Sequence, residues 1–167
     1  MQFLTLLLFD IILGFVPQAM GCAVCLFAFA NQPLRSKNFL FTSLIFSGIA
    51  IVVRFIFNYG LIDFGFHTVL IFLIFAVVAI TYNRFPVLQS TVGIMLSGVL
   101  IVVAELITGV VISLFLGMET FDAIMDNTAT IEGQITRALC GIPMNILFVA
   151  IALLVYFLVK RKRAKKS

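Results

Sequence analysis

Charge is what this chain has least of. Only 11% of its 167 residues are Asp, Glu, Lys or Arg, against 63% that are hydrophobic. A water-soluble domain carries about 25% charged residues, so lipid must solvate most of this surface. The mean hydropathy of +1.23 agrees. Tryptophan is absent while phenylalanine occurs 19 times, a lipid-facing composition without the Trp that usually joins an interfacial belt. One histidine and three cysteines leave little for metal or thiol chemistry. Residues 1–9 have no basic segment ahead of the apolar run, so the first helix is expected to stay in the mature protein.

What is present is a series of apolar runs. They predict an all-α integral membrane protein with five transmembrane helices, at about 3–30, 39–58, 67–83, 87–117 and 136–160, each long enough for the ~20 residues a span needs or near it. Residues 1–160 make one bundle and 161–167 a basic tail. Pro17 and Pro143 are expected to kink their helices, and Pro86 to start one. Only the connection 118–135 is long, and its "ETFDAIMD" has the pattern of a short amphipathic helix. Phe121, Ile124 and Met125 would lie against the membrane or cap the bundle.

Six of the eleven basic residues fall in "KRKRAKKS". With that tail in the cytoplasm, Arg35, Lys37 and Arg84 are also inside, while Asp63, Glu119, Asp122, Asp126 and Glu132 are outside. The N-terminus is then outside and the C-terminus cytoplasmic. The positive charge is topological, and nucleic acid is not an expected partner. The tail would also attract anionic lipid.

Five ionisable residues remain within the spans: Asp10, Arg54, His67, Glu105 and Arg137. Helical rise puts all five in the outer half, with Glu105 deepest. A charge at the bilayer centre costs at least ~2.5–3.5 kcal/mol, so such residues normally face the bundle interior and pair. Two acids, two arginines and one histidine are close to neutral together. They are expected to form one polar cluster, as structural pairs, as a cavity that binds or senses something from outside, or as a path for protons.

The other candidates carry less. Cys22 and Cys25 share a helical face at the inner end, with His67 across the membrane and Cys140 at the outer end. Neither a tetrahedral metal set nor a pairing of Cys22 or Cys25 with His67 results. Cys140 could approach His67, but no base-orienting pattern supports catalysis there, and packing is the expected role of Cys22 and Cys25. Ala19 with Ala23, and Gly93 with Ser97 and Gly98, have the small-residue spacing of close helix contacts.

The segments "LGFVPQAM", "FGFHTVLIFLIF", "RFPVLQS", "AELITG", "LGMETFDAIMDN" and "TRALCGIPMNILF", followed by a basic end, resemble the membrane-embedded sensor regions of bacterial histidine kinases of the GHKL ATPase class, or stand-alone membrane proteins of that build. The likeness spans nearly the whole chain and makes His67, Glu105, Arg137 and Pro143 the characteristic positions. It implies a bacterial cytoplasmic membrane. Such kinases continue into a phosphoacceptor helix and an ATP-binding domain, and this sequence has neither. The expected function is therefore a non-enzymatic sensor or signalling module, without cofactor, acting through a protein partner in response to a small-molecule or lipid ligand. The alternative is a substrate-binding membrane subunit of a small-molecule transporter, with Ala19 and Ala23 as its docking face.

Overall fold

A computed structural model describes residues 10–58, 66–126 and 131–165. Among them there is no strand. A π-helical stretch, Asp10–Phe15, runs into α1 (Val16–Phe29), followed by α2 (Lys37–Asn58), α3 (Phe66–Thr81), α4 (Val87–Leu116), α5 (Met118–Asp126) and α6 (Ile131–Ala164). Three segments are long and apolar enough to cross a membrane: Ile12–Phe29, Val87–Leu116 and Ala138–Ala164. The chain is a multi-pass helical membrane protein. The apolar parts of α2 and α3 are shorter, Lys37–Val53 and Thr68–Thr81. Residues 3–9 of the expected first helix, and Asp63 in its loop, lie outside the described residues.

The helix ends have local causes. Pro86 caps α4, where its missing N–H costs nothing. Gly117, at φ 84°, ends α4 in a conformation that disfavours side chains. At the end of α1, Asn31 takes the left-handed conformation at φ 58°. Its N–H then reaches the Ala28 carbonyl, and that of Gln32 reaches Phe27. This is the Schellman pattern, and Pro33 follows it as a stop. Pro143 does not end a helix: α6 runs through it.

α1 is the axis of the bundle. It packs against α2, α4 and α6, while α3 bridges α2 and α4. Of the Ile12–Phe29 segment 56% is buried, against 11% for α4, which makes α1 the core and α4 a wall. Small residues make that possible. A Cβ on Gly93 would lie 2.9 Å from the Leu26 Cα, so α4 meets the backbone of α1 directly. Gly21 is filled in the same way by the ring of Phe148 from α6. Ala19 and Ala23 are both buried here. They serve packing inside the bundle and cannot be an exposed docking face.

Aromatic rings lock the other helices. Phe46 of α2 stacks on Phe75 of α3 at 3.9 Å, and Phe27 meets Phe39 and Phe85 edge-on at 5.4 and 5.2 Å. Cys22 and Cys25 are buried and unbridged, in the packing role the sequence suggests. Some hydroxyls in the spans return their hydrogen to the preceding turn, as Ser47 does to the Ser43 carbonyl and Ser97 to that of Ile94, which spares them an unsatisfied donor in hydrocarbon. The buried Ser43 and Ser90 hydroxyls, by contrast, have no partner. The short helix α5 packs on α4 and α6. A Cβ on Gly109 would be 3.9 Å from the Phe121 ring, so Phe121 turns to the bundle. Ile124 is half-buried; the Met125 and Glu132 side chains lie outside the described residues.

Candidate functional site

The contacts that hold the helices together also set their relative heights. Phe148 rests on Gly21, and α6 runs parallel to α1. Eleven residues before each lie Arg137 and Asp10, whereas the Asn145 amide on the Leu13 carbonyl sets Arg137 about five residues farther out than Asp10. α2 runs antiparallel to α3. Arg54 is eight residues beyond Phe46 and His67 eight before Phe75, so the stacked rings put these two level. From Phe27 against Phe39, Arg54 is level with Ile12 of the first helix. From Gly93 against Leu26, Glu105 is level with Gly14. The backbone positions of Asp10, Arg54, His67 and Glu105 thus occupy one band, at residues 10–14 of the first helix, with Arg137 at its outer edge or beyond. At 1.5 Å per residue the band of four is roughly 6 Å thick.

Height is not contact. The side chains of Asp10, Arg54, His67 and Arg137 lie outside the described residues, and only Glu105 can be followed. It is exposed and forms no hydrogen bond or ion pair among the described residues. Glu105 follows buried Ala104 and stands two turns beyond Gly98, whose missing side chain receives Phe72 of α3. Glu105 is thus on the α3 flank of α4, at the level of Phe66, the first described residue of α3.

A further polar residue, Asn145, eight residues inward of Arg137 on α6, escapes sequence reasoning. Pro17 has no N–H to offer the Leu13 carbonyl in an α-helical turn, and the chain just before it is π-helical. The Asn145 amide of α6 donates to that carbonyl instead, at 2.5 Å. Asn145 is 4% exposed, and its Oδ1 has no partner. A buried unpaired acceptor is costly in a low-dielectric setting. π-helical turns inside α-helices recur at functional sites. The signal that marks Asn145 is a lone amide in "GIPMNILF" paired with a proline on another helix, which only the packing of α6 on α1 connects.

The backbone positions of two acids, an arginine and the histidine therefore lie near one depth, with Arg137 toward the outer edge and Asn145 eight residues inward of it. The described residues contain no group of three or more His, Cys, Asp and Glu placed to hold a metal. At the tail end of the bundle a second polar junction forms. Arg163 donates to the Phe29 carbonyl at 3.0 Å, Tyr156 OH to the Gln32 carbonyl at 3.4 Å, and Thr42 to Asn83 Oδ1 at 3.0 Å. Comparison with protein-family models, curated proteins and solved structures found no match to this chain.

Proposed function

We propose that this protein is a non-enzymatic sensor or signalling module of a bacterial cytoplasmic membrane. In this reading five helices span the bilayer, with the N-terminus outside and the basic tail in the cytoplasm, and a protein partner carries the signal onward. The near-common height of backbone positions 10, 54, 67 and 105, with 137 toward the outer edge, is the observation that supports it. Residues that only anchored separate helix ends would need no such shared depth. A ligand entering this layer from outside changes the balance of charge among the helices. α6 is the element suited to report it, because one helix carries both Arg137 toward the outer edge of the layer and Arg163 at the α1 terminus.

The transporter reading loses its docking face, since Ala19 and Ala23 are buried. The test is thermal unfolding of the detergent-purified protein, wild type against Glu105→Gln, over a panel of lipids and metabolites. A ligand that raises the midpoint of the wild type and not of the variant is the expected outcome. If no compound shifts the wild type, and Glu105→Gln only lowers stability, the layer is structural and the reading fails.

A further inference from the structure

We infer that the cleft between the turn after α1 and the basic end of α6 binds a phosphate oxyanion, presented by an anionic lipid headgroup or by free phosphate. The cleft is a cavity of about 120 Å³ lined by Ala28, Asn31, Gln32, Pro33, Tyr156 and Lys160. A share of ~30 Å³ per water makes this roughly four water volumes, which accommodates a tetrahedral oxyanion.

The end of a helix normally repels anions, because its last carbonyls point outward. Here those carbonyls are occupied. The N–H groups of Ala30, Asn31 and Gln32 take the oxygens of Leu26, Ala28 and Phe27, and Arg163 takes Phe29. Tyr156 consumes the Gln32 carbonyl in the same way. These acceptors are therefore not free to repel an anion in the cleft. The Lys160 ammonium lies 5.7 Å from the centre of the Tyr156 ring and makes no ion pair among the described residues. Beside it are the exposed amide side chains of Asn31 and Gln32. No acid occurs between residues 11 and 62 or after residue 132, so the chain near the cleft supplies no carboxylate to compete for Lys160. The cleft also lies where the apolar run of α6 gives way to "KRKRAKKS", the level at which lipid phosphates meet a span.

The test is thermal unfolding of the full chain in neutral phosphatidylcholine nanodiscs. One arm replaces part of the lipid with phosphatidylglycerol, and another adds inorganic phosphate against chloride of equal ionic strength. Wild type is compared with Lys160→Gln and with Lys162→Gln, which removes the same charge from another face of the same helix. Phosphatidylglycerol is expected to raise the midpoint by several degrees, and Lys160→Gln to remove at least half of that rise while Lys162→Gln keeps it. A shift with the lipid alone identifies a headgroup site; a shift with inorganic phosphate as well shows that the oxyanion suffices. Equal losses in the two variants, loss in neither, or no shift with either anion would overturn the assignment and leave only diffuse attraction to the tail.

Discussion

Single residues decide how closely these helices approach. Gly93 has no room for a methyl group, because the atom it would meet is backbone. Gly93→Ala is expected to destabilise by about 1–3 kcal/mol, the usual cost of overpacking. Gly48→Ala, in open space, should leave stability unchanged or raise it, as helix propensity favours alanine. Thermal unfolding of the pair in one detergent separates the two cases. Asn145→Leu removes the bond to the Leu13 carbonyl and also the unpaired Oδ1. Interhelical hydrogen bonds in membranes average about 0.6 kcal/mol, so the direct loss is small. Asn145→Asp retains an oxygen and loses the donor, and should be clearly less stable than Asn145→Leu at neutral pH. Equal stability of those variants would mean that an unpartnered oxygen at this position costs nothing.

Helix ends were legible in the sequence because the residues that set them act locally. Pro86 and Gly117 bound α4 within a residue of expectation, and the amphipathic pattern of "ETFDAIMD" is a helix. Pro143 sits inside α6, because a proline's effect depends on what surrounds its turn, which is tertiary information. Facing was not legible: Glu105 is exposed among the described residues, and nothing in α4 itself encodes that. The centrality of α1 was equally hidden, because small residues signal close approach without naming the partner. The junction of α6 with α1 yields a prediction at this scale. Arg163→Gln uncovers the Phe29 carbonyl and removes a cation from a helix C-terminus, an effect of about 1 kcal/mol. Amide hydrogen exchange should rise at residues 28–32 and stay unchanged in α3.

For the whole molecule, the arrangement of charge makes a prediction about sidedness. Single cysteines at Asp63 and Glu119, in a chain with its three native cysteines replaced, should react with an impermeant maleimide applied outside intact cells. One at Arg84 or Lys165 should react only after the membrane is opened. Labelling of positions 63 and 84 from the same side would rule out the five-span topology. The position of α1 also bears on assembly. α1 precedes α4 and α6 in the chain and ends up surrounded by them, so its glycine and alanine faces must wait in lipid until both arrive. The seat for Phe148 at Gly21 stays empty until α6 is made. A nascent chain interrupted before α6 therefore presents a small-residue groove that its own later helix would have filled, a natural mark by which membrane quality control can tell an unfinished copy from a finished one.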